Sequence, residues 1–275
     1  MGPFSEWLIN APLWQVALVL VVGLIAFALL GRVFRQRAFA RGTNDDAGSD
    51  QEGYILTAVS GLLALLVGFT FSMAIDRFDT RRGRVLEEAQ AIEASYLKAQ
   101  MLAEPYRTQI SRLLVDYTDN KIVLAQTKPG KDQDALSAKN DRYLTELWAA
   151  AVAAFPSIKG LDFSSSFVDT VSSVVEMDTA RKAGRRAHVP GQVYAILFVY
   201  LFVTATVFGY VLTGRRGREI AAFLLFLFAM SMILIIEIDR PVTGGINESQ
   251  DAMIQLKAAL HSHPPQVFGA PAQAP

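Results

Sequence analysis

Four unbroken apolar segments, each close to the length that crosses lipid, constrain this chain more than any other feature. Leu13 to Phe34 holds only Gln15 and Arg32 as strongly polar residues. Tyr54 to Ile75 and Gln192 to Thr213 hold no charge, and Glu219 to Ile238 holds Glu219 and Glu237 at its ends. At a helical rise of about 1.5 Å per residue, about 20 residues span a hydrocarbon core of about 30 Å. Backbone amides in lipid must bond within their own segment, so the segments read as helices. The spacing predicts transmembrane helices over about 13–34, 54–75, 192–213 and 219–238, the last two a hairpin joined by GRRGR at 214–218.

Two readings of the first segment compete. As a secretory signal it lacks Lys or Arg in MGPFSEWLIN, and its apolar run is long for an h-region. The small-x-small site Ala26-Phe27-Ala28 lies inside that run. Retention as a membrane helix is the expectation. Residues 35–53 then begin with Arg35, Arg37 and Arg41 and continue NDDAGSDQE. The acidic run lacks the Gly and Glu spacing of an EF-hand, so it reads as a solvated loop rather than a calcium site.

Residues 76–190 form a polar insert between the second and third membrane segments. Phe78, Val85, Ala89, Ile92, Tyr96 and Ala99 recur at three, four and seven, one stripe of a helix. Glu104-Pro105 turns into a second helix, since Pro suits a first helical position, and Ile110, Leu114, Tyr117 and Leu124 stripe it. KPGKDQD at 128–134 precedes a third, with Leu144, Leu147, Trp148, Ala151 and Phe155. FPSIKGLD breaks it, and Phe163, Phe167, Val171 and Val174 mark a fourth that ends in RKAGRR. The insert reads as a helical extramembrane domain. The predicted division is 1–75 for membrane helices one and two, 76–190 for this domain, 191–240 for membrane helices three and four, and 241–275 for a tail. The tail has one amphipathic stretch at Met253, Ile254, Leu256 and Leu260, and a Pro- and Ala-rich end read as disordered.

Lys plus Arg equals Asp plus Glu at 26 each, so no bulk charge draws the chain to nucleic acid. The absence of cysteine excludes disulfides, thiolate metal sites and a Cys nucleophile. No P-loop, Rossmann glycine pattern, GxSxG or HExxH is present, so neither catalytic residues nor a cofactor is expected. Carboxylates of the insert alternate with Lys and Arg at helical spacing, as on a solvated surface. His261 and His263 form an HxH pair without a further ligand nearby, so no metal is expected. Glu237 and Asp239 flank the end of the last membrane segment. They are either ion-path residues, since ionisable groups at lipid depth tend to be functional, or helix-end residues paired with Arg240.

The second membrane segment passes into charge after Ile75 with no turn residue, and its helical stripe continues to Ala99. One rod of ~45 residues, half in lipid and half in water, is expected. Gly61, Leu65 and Phe69 lie four apart and share a face, and Gly61 and Gly68 would permit close helix packing. Around an axis of several copies, Leu65 and Phe69 would form apolar rings of the kind that gate channels by dewetting. Alternatively this face packs against the chain's own other membrane helices. Periodicity leaves both open.

The stretch Gly68-Phe69, followed seven residues on by Asp76-Arg77-Phe78 and then Arg81, resembles the helix-two motif of the bestrophin family. The order of parts is similar too, and GFTFSMAIDRFDTRR, EAQAIEASYLKAQML and EIDRP resemble the bestrophin-like group of bacterial membrane proteins. The resemblance runs from Tyr54 to Leu260. It implies a pentameric ion channel, mostly for anions in the wider family, with some bacterial members preferring cations. It implies a three-residue neck, which falls here on Gly61, Leu65 and Phe69. Gly61 departs from the family's bulky residue, and Phe78 stands where a Trp is usual. Asp76, Arg77 and Arg81 read as structural, tying neighbouring helices together just beyond the bilayer, rather than as selectivity residues. DRPVTGG has one Asp where the calcium clasp of animal bestrophins needs several oxygen ligands, so calcium gating is not expected.

The resemblance implies a bacterial inner (cytoplasmic) membrane with the helical domain in the cytoplasm. The arginines of the short loops, Arg35, Arg37, Arg41, Arg215, Arg216 and Arg218, argue for the opposite orientation by the positive-inside rule. The expected partners are the lipid bilayer, other copies of the chain and inorganic ions. Two functions are carried forward: an oligomeric ion channel with a hydrophobic neck, and a non-conducting membrane scaffold or sensor whose helical domain binds a protein.

Overall fold

The computed structural model is all-α among the residues it describes, which are 3–40, 48–127, 130–240 and 248–269. The helices are α1 (Pro3–Asn10), α2 (Leu13–Ala40), α3 (Gly48–Ala99), α4 (Tyr106–Gln126) and α5 (Lys131–Ile158), then α6 (Ser164–Arg186), α7 (Gly191–Val211), α8 (Gly214–Asp239), α9 (Asp251–Ser262) and α10 (Pro265–Gly269). Four stretches are long and apolar enough to cross a membrane: Leu13–Ala38, Gln51–Ala99, Ser164–Val211 and Gly214–Asp239. The chain is an all-α membrane protein with four membrane helices and a helical domain inserted between the second and third. Its contacts divide into a membrane unit, residues 1–78 and 188–246, and a helical unit, residues 79–187 and 247–275.

In the membrane unit each long helix turns one stripe inward. Val16, Leu20 and Leu24 of α2 are four apart and buried, and Leu197, Leu201, Ala205 and Phe208 of α7, three or four apart, are buried too. Leu63, Val67 and Ala74 of α3 and Ala221, Leu225, Ala229 and Met232 of α8 complete the core. The opposite faces are equally apolar: Leu18, Val22, Ile25 and Leu29 of α2 and Phe223, Phe226 and Met230 of α8 are exposed. A helix apolar all round belongs in lipid. Two glycines set the closest seam. A Cβ on Gly209 of α7 would lie 1.9 Å from the Ala28 carbonyl oxygen, and one on Gly31 of α2 would lie 2.0 Å from that of Thr206. Only residues without side chains let these two backbones approach so closely. Next to the seam, Phe27 and Phe202 stack at 4.8 Å.

In the helical unit, α4 packs on α5 and α9, and α5 packs on α6. The predicted stripe of α3 is the core stripe: Val85, Ala89, Ile92, Tyr96 and Ala99 are all buried. They meet Ile110, Leu114 and Tyr117 of α4, Leu144, Leu147 and Ala151 of α5, and Phe167, Val171 and Val174 of α6.

Several expectations need correction. The loop expected over 35–53 is helical at both ends, to Ala40 and from Gly48; residues 41–47 lie outside the described set. GRRGR is not a linker. Gly214, at φ +71°, opens α8, and the hairpin turn is reduced to Leu212 and Thr213. Helix α5 runs through Pro156 to Ile158. The tail is not free after residue 250: Met253, Leu256 and Leu260 of α9 are buried in the helical unit. His261 lies in the last turn of α9, and the Tyr96 hydroxyl donates to the His263 carbonyl at 2.8 Å. The PVTGG of the stretch weighed as a calcium clasp, and residues 270–275 of the expected disordered end, lie outside the described residues.

Candidate functional site

Helix α3 is continuous from Gly48 to Ala99, so the rod expected from the charge boundary is present. Its inward stripe through the membrane unit, Leu63, Val67, Thr70 and Ala74, leaves Gly61, Leu65 and Phe69, where a neck was expected, on the other side. Leu65 is 54% exposed and Phe69 62%. The alternative that this face packs against the chain's own membrane helices therefore fails. The expectation of close packing at Gly61 and Gly68 fails within the chain for the same reason, since a Cβ at either meets nothing within 4 Å.

The exposed face of α3 differs in composition from the other exposed faces of the unit. Thr57, Gly61, Ala64, Gly68 and Ser72 are exposed and recur every three or four residues, so they form one ladder of small residues. Leu62, Leu65, Phe69 and Met73 run beside it. On α2 and α8 the exposed positions are mostly branched or aromatic. Lipid tails fill around bulky side chains, whereas small-residue ladders in membranes mark places where helices approach closely.

The exit motif divides between the units. Asp76 is exposed, while Arg77 and Phe78 are half-buried, with Phe78 against the membrane-unit core. Arg81 is buried in the helical unit, 3.5 Å from Glu248, which Arg185 approaches at 3.7 Å. Asp239 is buried at the end of α8 and accepts from the Val189 amide at 3.0 and 3.2 Å, while its carbonyl lies 3.1 Å from His188 Nδ1. It ties the end of α8 to the backbone entering α7. Glu237 is half-buried two residues earlier. Arg240 donates to the Leu8 carbonyl, anchoring α1.

One cluster in the helical unit was invisible in the sequence. Glu88 of α3 is fully buried, accepts from the Tyr117 hydroxyl at 2.5 Å and Arg181 at 2.6 Å, and pairs with Lys121 at 2.9 Å. Asp178, also buried, accepts from Lys121 at 2.8 Å and Asn140 at 3.0 Å, and pairs with Lys182 at 2.8 Å. Arg181 reaches on to Gln250 at 2.6 Å. Burial pushes the Glu88 carboxyl up, but Lys121 and Arg181 reverse this and hold it below its ordinary 4.5. Asp178 is likewise held below 3.8, with Lys121 and Lys182 overcoming burial. Burial and the two carboxylates push the Tyr117 phenol well up, so it remains a donor. These charges, read as an ordinary solvated surface, close on one another across four helices. Among the described residues no group of three metal-ligating side chains occurs.

The family model for the Bestrophin-like domain matches residues 22–253. No curated protein matches the sequence. Among solved structures, a single-substitution variant of a bacterial bestrophin homologue from Klebsiella pneumoniae is similar with a TM-score of 0.65 at 16% identity, over 95% of this chain and 100% of that one. A second variant of that homologue gives 0.62 at 17%, over 88% and 98%. A structure described as a membrane protein variant gives 0.64 at 16%, over 91% and 99%. At such identities the likeness is one of fold.

Proposed function

The chain belongs to the bestrophin-like family, and from that premise we propose that it assembles as a homo-oligomeric ion channel whose pore is bounded by α3. The observation that carries this reading is the exposed face of α3. A small-residue ladder with open space beside it, flanking exposed Leu65 and Phe69, suits close approach by α3 of another copy. Leu65 and Phe69 would then ring the axis as a dewetting constriction, with Gly61 widening its outer end. The pentamer, the inner-membrane location and the cytoplasmic placement of the helical unit follow the family resemblance. Arg81 acts as a structural tie through Glu248, and Asp239 as a helix-end residue rather than an ion-path group.

The test is ion flux from liposomes holding the purified protein, with chloride and with sodium or potassium gradients measured separately. Flux is expected, blocked by Gly61→Trp and increased by Leu65→Ala with Phe69→Ala. Unchanged flux in the alanine pair would refute the neck. A monomer in detergent with no flux in oriented, folded protein would refute the channel and leave the scaffold reading.

A further inference from the structure

At the polar end of the α2–α7 seam, where α2 leaves its apolar run and the hairpin turns into α8, the membrane unit holds a cavity of about 570 Å³. That size falls within the ordinary range of small-molecule sites. Arg32, Arg35, Gln36, Thr213 and Arg218 line it. The arginines differ in their partners. Arg35 is committed: it donates to the Tyr210 carbonyl at 2.7 Å and to Glu52 at 3.1 Å. Arg215, outside the cavity, pairs with Glu219 at 3.2 Å. Among the described residues neither Arg32 nor Arg218 pairs with a carboxylate, and Arg218 donates only to the Gly214 carbonyl at 3.1 Å. Gly209, whose backbone abuts Ala28 at the seam, is part of its wall. Two uncompensated guanidiniums, with amide and hydroxyl side chains beside them, converge on one space.

Its level in the membrane follows from the sequence. Arg32 and Arg218 stand where the apolar runs of α2 and α8 end, so the cavity lies at the depth of lipid headgroups. Guanidinium forks match phosphate oxygens in geometry and charge, and basic pockets between membrane helices take anionic headgroups. We propose that this cavity is a binding site for a phosphate group, with the phosphodiester of an anionic phospholipid as its occupant.

Native mass spectrometry of the detergent-solubilised protein tests it, titrating dioleoyl phosphatidylglycerol, dioleoyl phosphatidylcholine and inorganic phosphate in parallel. Phosphatidylglycerol should bind and phosphatidylcholine should bind far more weakly. Each interfacial arginine changes affinity about fivefold, so Arg32→Gln with Arg218→Gln should weaken phosphatidylglycerol binding on the order of 25-fold. Arg35 is left in place because it holds the α7 end. A melting curve unchanged from the parent establishes that the double variant is folded; should it melt early, Arg218→Gln alone gives the same test at about fivefold. Arg37→Gln, on the same end of α2 but outside the cavity, should bind as the parent does. Equal binding of inorganic phosphate would support the phosphate site and assign it to a soluble ligand. Binding unaltered in the double variant, or weakened as much by Arg37→Gln, would overturn it.

Discussion

Glu88→Ala should lower the melting temperature of the helical unit sharply. Its carboxylate is fully buried and serves three partners: it accepts from Tyr117 at 2.5 Å and Arg181 at 2.6 Å and pairs with Lys121 at 2.9 Å. Truncation leaves Lys121 with Asp178, but among the described residues leaves buried Arg181 with only the neutral Gln250 amide as its side-chain partner. Removing one partner of a buried pair costs about 3–5 kcal/mol, because the remaining charge keeps its desolvation without its counter-ion. At about 2–4 °C per kcal/mol this is a fall of about 6–20 °C. Trp148 of α5 reports this unit, so its fluorescence is followed in a Trp7→Phe, Trp14→Phe background during a thermal ramp in detergent. The scan rate is held fixed because unfolding of such proteins is commonly irreversible. Glu88→Gln keeps the shape and an acceptor for Tyr117 but loses the charge, and should show at least half the fall. Glu88→Met with Arg181→Met removes one charge of each sign and should melt above Glu88→Ala, since a buried pair exchanged for apolar side chains is often close to neutral. A fall below about 2 °C for Glu88→Ala, or a double variant melting below both singles, would refute the reasoning.

The depressed carboxyls of Glu88 and Asp178 give a sign for pH. Their contribution is full above the unfolded values of 4.5 and 3.8 and is lost as pH falls through the lower folded values. The Trp148 melting temperature should therefore be level from neutral pH to about 5 and fall below it, less steeply in Glu88→Gln; a curve of equal steepness would count against the assignment. Gly209→Ala places a Cβ 1.9 Å from a backbone oxygen, so it should cost about 1–3 kcal/mol or more and reduce the folded fraction on size-exclusion chromatography. Gly68→Val meets open space within the chain, so the protomer should stay folded while the oligomer dissociates at lower detergent concentration; an unchanged oligomer would place the contact elsewhere. Asp239→Ala removes both bonds to the Val189 amide and should destabilise the membrane unit by about 1–3 kcal/mol, read from its melting in a Trp148→Phe background.

What the sequence made legible was whatever rests on local period and length. Four apolar runs gave four membrane helices because lipid leaves the backbone no other choice. The stripe from Val85 to Ala99 gave the inner face of α3 because a core helix must repeat near 3.6. Contacts between distant residues were hidden. Gly31 and Gly209 meet across α2 and α7, and nothing in either segment singles them out from Gly61 or Gly68, which meet nothing in the chain. Arg35, Glu52 and the GRRGR run read as loop because they lie beyond the apolar runs and carry no apolar stripe of their own, yet Arg and Glu are good helix formers and continue helices beyond the apolar length.

The functional face raises a sharper version of the same difficulty. In water an exposed Leu65 or Phe69 would signal a missing partner, but in a membrane protein lipid satisfies any apolar side chain, so exposure alone decides nothing. Composition of the exposed face is the better discriminator. Bulky side chains on α2 and α8 maximise contact with mobile tails, and small ones on α3 would leave tails poorly packed while letting a second backbone approach. The ladder from Thr57 to Ser72 lies beside Leu65 and Phe69 rather than opposite them, so a neighbour seated on it would leave those two side chains turned toward the axis of a ring. The neck and the subunit contact are in this way one hypothesis: a substitution on the ladder that dissociates the oligomer must also abolish flux, and a variant that separated the two effects would break the link between them.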